Sequence, residues 1–498
     1  MNVNPITRLD YPDPDVIRVE DTYYMVSTTM HFMPGCEILQ SFDLVHWEHA
    51  TYVYETLDHT DAQQLKSGHN IYGQGMWAAS LRYHEGRFYI CFVANDTRKT
   101  YLYTSEKIDG PWKKQLIEGF YHDGSLLFDE DGRNYIVYGN DEIWITELNE
   151  DLTAPKKDGL HRLLVSDHKN PELGYEGSHI QKINGYYYIF LVHSLRDRWM
   201  RTEACFYSDS LEGEFTGGDV LCDDRGYCGQ GVAQGGIVDT PDGKWYAMLF
   251  QDSGAVGRIP ILLPVTWKDH FPVFGQNGHV PEEIEVHSTR PGYIYQPLVG
   301  SDDFCNGLLP RWQFNHDPDP RYYHLDALQG TYTITTREVC TELTQAVNTL
   351  TQRMSYPSCA AEVTVDASAL KEGDVAGLCA LQSCYAAVGI TKHHGKYEVL
   401  MLDKKEDGIL DMTEGTVVES HQMDFRLEAD FCNMKDEARC YYRVNKGDWL
   451  PIGTVHKLYF KLDHFTGCRF GLFCYAAEET GGSACFRDFK YYDVDEIS

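Results

Sequence analysis

The chain runs to 498 residues, too long for one ordinary domain, and 43% hydrophobic with 13% aromatic content is ample for two large cores. A formal net charge of −32 repels phosphate backbones and anionic lipid, so nucleic acid and membranes are poor partners and a neutral substrate is expected. No apolar leader core opens the sequence, no uncharged run approaches the roughly 18 residues of a membrane helix, and fifteen Cys lack a CxxC pair or zinc spacing, which together predict a soluble, cytoplasmic protein with reduced thiols.

Gly 43 and Tyr 34, with Val, Ile and Phe in short runs, predict mostly β structure. In chain order, five β-hairpin signals occupy the first half: Asp21-Thr-Tyr-Tyr, Glu85-Gly-Arg-Phe-Tyr, Asp131-Gly-Arg-Asn-Tyr, Asn184-Gly-Tyr-Tyr-Tyr and Asp242-Gly-Lys-Trp-Tyr. Four carry the acid-or-amide-then-Gly pair of tight hairpins. Successive signals lie 64, 46, 53 and 58 residues apart, lengths that suit a four-stranded sheet with variable loops, so the spacing predicts a five-bladed β-propeller. Three repeats add an outer segment that closes on Trp47, Trp112 or Phe215, and each of these aromatics is expected between neighbouring blades. The repeat fades after Trp267. From about residue 302, short runs such as Ala360-Ala-Glu-Val-Thr-Val and Arg469-Phe-Gly-Leu-Phe-Cys-Tyr predict a β-sandwich. The expected domains are a propeller over 1–290 and a sandwich over 300–498. The sandwich holds ten of the fifteen Cys and no chemical constellation, which leaves sugar binding, bracing of the propeller and homo-oligomerisation open for it.

Eight residues before each hairpin signal stand Asp13, Trp77, Asp123, Glu176 and Gln234. If the repeats superimpose, the five share one position and converge at a mouth of the central channel. Three are carboxylates, and cleavage of a glycosidic bond needs one acid to protonate the leaving oxygen and one base or nucleophile opposite it. Asp13, in Tyr11-Pro-Asp-Pro-Asp15, is flanked by prolines that remove ladder donors and leave a rigid, unpaired carboxylate. Glu176, beside Gly177, suits proton donation when partly desolvated, and Asp123 would raise its pKa as a neighbouring charge. Trp77 reads equally as a sugar-stacking wall or as core. Gln234 reads as a ligand or water partner or as structure, and Arg258 as a contact to sugar or carboxylate or as a surface ion pair. His69, His122 and His179 read as hydrogen-bonded loop residues rather than metal ligands. No GxSxG, HExxH, P-loop or strand-linked GxGxxG supports another chemistry.

Pro12-Asp-Pro14, Trp77 before Gly86-Arg-Phe-Tyr, Asp123-Gly-Ser-Leu and Glu176-Gly-Ser-His, each before its hairpin, resemble glycoside hydrolase family 43 over residues 1 to about 285. Residues 302–498 resemble the concanavalin-like domain that accompanies the family's β-xylosidase group. The resemblance implies an inverting exo-glycosidase that releases xylose or arabinose from plant-cell-wall oligosaccharides. A β-xylosidase is the first reading and an α-L-arabinofuranosidase the second; from another class, a non-catalytic sugar-binding propeller is the alternative. It further implies Asp13 as general base, Asp123 as pKa modulator and substrate orienter, and Glu176 as general acid, with Phe32 and Arg258 contacting the sugar beside Trp77 and Gln234. A small oligosaccharide is the partner and no cofactor is required. Gln234 stands where the family often has a channel His that helps hold calcium, so no metal ligand is assigned although an amide oxygen can coordinate calcium. Inversion would place the Asp13 and Glu176 carboxyls about 6.5–9.5 Å apart.

Overall fold

The computed structural model describes residues 3–493, which are almost entirely β. Five four-stranded antiparallel sheets follow one another along the first half. Blade 1 comprises Asp15–Val19, Thr22–Ser27, Gly35–Ser41 and Glu48–Tyr54, and blade 2 comprises Met76–His84, Arg87–Ala94, Lys99–Ser105 and Lys113–Ile117. Blade 3 is built from Ser125–Phe128, Asn134–Asn140, Glu142–Leu148 and His161–Ser166. Blade 4 is built from Glu176–Ile183, Tyr186–Ser194, Arg201–Ser208 and Thr216–Leu221, and blade 5 from Val232–Asp239, Trp245–Asp252, Arg258–Lys268 and Phe271–Phe274. The two-residue turns at Glu85-Gly86 and Asn184-Gly185 have positive φ at both residues, the geometry whose twist matches the flanking strands.

Each joint between neighbouring blades buries its own apolar cluster, and that burial is what closes the ring. Ile38 and Val53 meet Leu81 and Phe92 between blades 1 and 2. Leu102 meets Ile136 between blades 2 and 3, Val137 meets Leu191 between blades 3 and 4, and Phe190 meets Leu263 between blades 4 and 5. Tyr23 and Leu39 meet Tyr246 and Leu262 between blades 1 and 5. The outer aromatics pack as the repeat suggests: Trp47 in the last of these joints, Trp112 against the first, and Phe215 between blades 3 and 4. The N-terminal segment ties onto blade 5 through Ile6 N–H to Pro260 O (2.9 Å) and the Asn4 amide to Leu262 O (2.7 Å).

Arg82 crosses the channel and links the inner strands of four blades. It donates to Asp15 Oδ2 (2.8 Å), to Ser125 Oγ (2.7 Å) and to the carbonyls of Leu126 and Ile180 (2.8 and 3.1 Å). Burial works against the Asp15 charge, but Arg82 and His179 outweigh it and hold the carboxyl below its usual range.

The second half supplies eight strands of a nine-stranded sheet and all of a seven-stranded sheet, over a core that includes Leu378, Val388, Phe425, Phe470 and Phe486. The two halves are not cleanly separable. Phe32–Met33, from the connection inside blade 1, is the edge strand of the larger sandwich sheet and pairs with Gln313–Asn315. Arg353 of the sandwich reaches Glu37 of blade 1 (2.8 Å) across the Tyr11 ring, and Gly467 N–H donates to Asp10 (2.8 Å). Among the described residues no helix is long and apolar enough to cross a membrane.

Candidate active site

The mouth of the channel opens into a cavity of about 970 Å³. Asp13, Trp77, Asp123, Glu176, Gln234 and Arg258 all line it, so six of the seven residues singled out from the sequence meet there. Phe32 does not. It is fully buried in the joint between the halves, among Leu343, Tyr385 and Phe473, with the Arg469 guanidinium 3.4 Å above its ring. The expectation that Phe32 walls the sugar is therefore corrected: pairing of Phe32–Met33 with the sandwich sheet draws the ring into that core.

The five positions are also not fully equivalent. In blades 2, 4 and 5 the inner strand breaks register by one residue, between Met76 and Ala79, Glu176 and His179, and Ala233 and Gly236. These are β-bulges, which bend a strand and re-aim its side chains. Trp77 and Gln234 are the first residues of their bulges; Asp13 and Asp123 precede their inner strands and, like Gln234, have left-handed backbone, with φ of 53°, 48° and 65°. In blade 4 the bulge begins at Gly177 (φ 65°), and Glu176 is the paired residue before it, opposite Val192. The inner strand of blade 4 has five residues between bulge and turn where blade 2 has six, so a count of eight back from the turn oversteps the bulge by one.

At this mouth carboxylates and donors come into contact. Asp13 accepts from Arg258 Nη1 at Oδ1 (3.0 Å) and from Thr28 Oγ1 at Oδ2 (2.6 Å), so its charge is compensated and its oxygens are oriented. Arg258 is 2% exposed, and its Nε and Nη2 have no hydrogen-bond partner among the described residues. Asp123 Oδ2 accepts Gly177 N–H (2.9 Å). Burial, helped by the charges of Glu176 and Asp13 and offset in part by His122, pushes Asp123 up to about 6. His122 Nε2 lies 3.6 Å from Asp123 and 3.5 Å from Glu176. Burial opposes its charge, yet Asp123, Glu176 and Asp13 outweigh that and hold it up at about 9, as a cation between two acids. Glu176 accepts from Asn140 Nδ2 (2.6 Å) and is the most open of the three acids, 19% exposed in its side chain against 7% for Asp13 and 6% for Asp123.

Gln234 is buried, its N–H donates to Glu203 Oε2 (2.7 Å), and its side chain lies against Gly177, where an added Cβ would come within 2.7 Å of it. Glu203 is fully buried, and desolvation raises it well above the usual carboxylate range. The Trp77 ring packs 5.8 Å from His122 and 5.6 Å from Phe465, so it is both wall and packing.

Sequence reasoning did not find His122, Asn140 or Thr28 as site residues, nor the contribution of the sandwich. Phe460, Leu462 and Phe465 come from the sandwich and close the cavity over the propeller mouth. They belong to no repeat, so no register marks them. The sequence assigns His122 to a loop; its place directly before Asp123 is the available signal.

The ligand atoms of His122, Asp123 and Glu176 lie within 4.8 Å of one another. Calcium takes six to eight oxygen ligands; this set offers two carboxylates and an imidazole nitrogen. Asp15, the channel carboxylate, is committed to Arg82 and His179. These donors do not fit calcium, and no chemical step is routed through a metal.

Residues 3–272 match the profile described as Glycosyl hydrolases family 43, and residues 301–492 match the Beta xylosidase C-terminal Concanavalin A-like domain. A structure described as a bifunctional GH43-CE protein of Bacteroides eggerthii superimposes with a TM-score of 0.92 at 42% identity over 99% of this chain; this chain spans 64% of that one. A beta-xylosidase of Formosa agariphila is 26% identical, covering 99% of this chain and 89% of the relative. A non-reducing end alpha-L-arabinofuranosidase of Bacteroides ovatus is 24% identical, covering 82% of this chain and 79% of the relative. The two profiles divide where the propeller gives way to the sandwich, and the carboxylates gather at the propeller mouth inside the first of them: the chain belongs to glycosyl hydrolase family 43 and is a glycosidase.

Proposed function

We propose that the protein is an inverting, exo-acting β-xylosidase that releases xylose from the ends of plant-cell-wall oligosaccharides. The observation that carries the reading is the unequal setting of two acids on non-neighbouring blades around one cavity. Asp13 is buried and matched to a guanidinium, whereas Glu176 is partly exposed and held by Asn140 and His122. Asp13, fixed by Arg258 and Thr28, takes a proton from water. The water oxygen bonds to the anomeric carbon as the bond to the leaving oxygen breaks, and Glu176 gives its proton to that oxygen. Asp123 accepts a sugar hydroxyl and, with His122, sets the electrostatics around Glu176. The unpartnered Arg258 N–H groups are donors to the same sugar. Closure by the sandwich supports exo action, because a cavity blocked at one end admits a chain terminus and not the middle of a polymer.

An α-L-arabinofuranosidase is the second reading, favoured by the Bacteroides ovatus relative. A panel of wild type, Asp13→Ala and Glu176→Ala on aryl β-D-xylosides and aryl α-L-arabinofuranosides tests the reading. The expected outcome is xyloside turnover by wild type and a loss of at least about 10³-fold in kcat for Asp13→Ala, with Glu176→Ala hurt less as the aryl leaving group becomes more acidic. Undiminished turnover by Asp13→Ala, or by Glu176→Ala on the least acidic aryl leaving group, removes the site assignment, and turnover of the arabinofuranoside alone moves the substrate to the second reading.

A further inference from the structure

Along one side of the cavity runs an alternating column of rings and guanidinium groups, its middle ring buried behind the wall. Trp199, 44% exposed at the mouth, has Arg201 Cζ 5.3 Å from its ring centre; the same guanidinium stands 5.2 Å from Phe250. On that ring, at 5.4 Å, is the Arg258 guanidinium, which in turn lies 4.4 Å from the Phe465 ring and donates to Asp13. Exposure falls along the column, to 8% at Arg201, 0% at Phe250 and 2% at Arg258. Arg201 is tied to Asp252 (3.0 Å), and its Nε has no partner among the described residues. A tryptophan backed in this way is ordered before any ligand arrives, which is what a stacking surface needs.

Geometry decides which part of a ligand the column meets. Asp13 and Asp123 mark the buried floor, and the more open Glu176 has to stand at the oxygen that is cleaved. Groups outward of Glu176 therefore face the leaving portion. Trp199 and Leu462, the latter 74% exposed, are large apolar residues left uncovered at that mouth. A volume of about 970 Å³ exceeds what one pentose fills and lies at the upper end of the roughly 300–1,000 Å³ usual for ligand sites. Glu172 and Asp463 line the same mouth, and its cations Lys461 and Arg201 are already paired with Glu406 and Asp252, so the charge left over is negative and disfavours a uronic acid there.

We infer that Trp199, braced by Arg201, is the platform for the sugar ring next to the cleaved bond, and that it selects a neutral oligosaccharide as leaving group. The inference rests on the glycosidase reading above and adds where the specificity for that second ring resides.

The test compares kcat/KM of wild type, Trp199→Ala and Trp199→Phe on β-1,4-xylotriose and on β-D-xylosyl fluoride, whose leaving group is one atom and cannot touch the platform. Trp199→Ala is expected to lose about tenfold or more on xylotriose while the fluoride changes less than about twofold, and Trp199→Phe to recover most of the loss. Equal losses on both substrates, or none on either, overturn the platform. A wild type silent on both substrates overturns the underlying β-xylosidase reading instead.

Discussion

Asp123 is an acid whose charge burial and its neighbours oppose. Its folded pKa, near 6, lies above the usual carboxylate value because of burial and the neighbouring charges of Glu176 and Asp13. A carboxyl whose folded pKa is raised binds its proton more tightly in the native state than in the unfolded one. Its ionisation therefore destabilises the fold progressively as pH rises from the unfolded value to about 6, and fully above that. Asp123→Asn keeps an acceptor for Gly177 N–H and removes the charge. Urea unfolding at pH 7.5 should show a stability gain on the order of 2 kcal/mol, together with a loss of turnover of about 100-fold or more. A variant no more stable than wild type contradicts this electrostatic account. At this scale much of the site was legible, because Asp13, Asp123 and Glu176 stand in short motifs, while Arg258 rested on the family resemblance. Phe32 was not, since its burial is set by a strand pairing with residues nearly three hundred positions away.

Bulges in three of the inner strands, with left-handed residues ahead of the other two, turn five similar strands into a site. Hairpin turns could be read because acid-Gly or Asn-Gly pairs announce them, and so the blade count could be read too. Bulges could not, because one extra residue in a strand has no signature in hydrophobic alternation, and the count of eight accordingly placed Glu176 at the wrong structural position. Gly177 makes the consequence testable. Its φ of 65° disfavours a side chain, an added Cβ would meet Gln234 at 2.7 Å, and its N–H is the donor to Asp123. Gly177→Ala is expected to cost about 1–3 kcal/mol and to lower kcat about tenfold. Gly185→Ala, at a turn with φ of 84° and nothing within 4 Å of the added Cβ, carries backbone strain alone and should leave kcat unchanged. Equal kcat in the two variants would separate the bulge from the chemistry.

Across the whole molecule, the joint between propeller and sandwich holds His31, His316 and His464 around Tyr72, with the Arg469 guanidinium close by. Burial drives all three imidazoles below their ordinary range, His464 to about 3, and the Arg469 charge adds to the effect at His31 and His464. These groups stay neutral in the native state and take up protons when unfolded. Their contribution is intact above about pH 6.5 and is lost as pH falls below it, at about 1.4 kcal/mol per pH unit for each histidine until its folded pKa is reached. Residues 460–465, which wall the cavity, carry His464, so acid should weaken that wall along with the joint. Urea unfolding at pH 7.5 and pH 5.0 should show a marked drop in wild type, and the drop should shrink by about one histidine's share in His464→Phe. An unchanged drop would place the acid sensitivity elsewhere. The two architectures were legible from repeat and alternation, but their shared sheet and this joint were not, because contacts between distant segments leave no local pattern.

The most direct test of the central claim, that Asp13 activates water opposite a proton donated by Glu176, is the anomer first released. Proton NMR of wild type acting on an aryl β-D-xyloside should show α-xylose before mutarotation; β-xylose appearing first would make Asp13 a nucleophile and contradict the account.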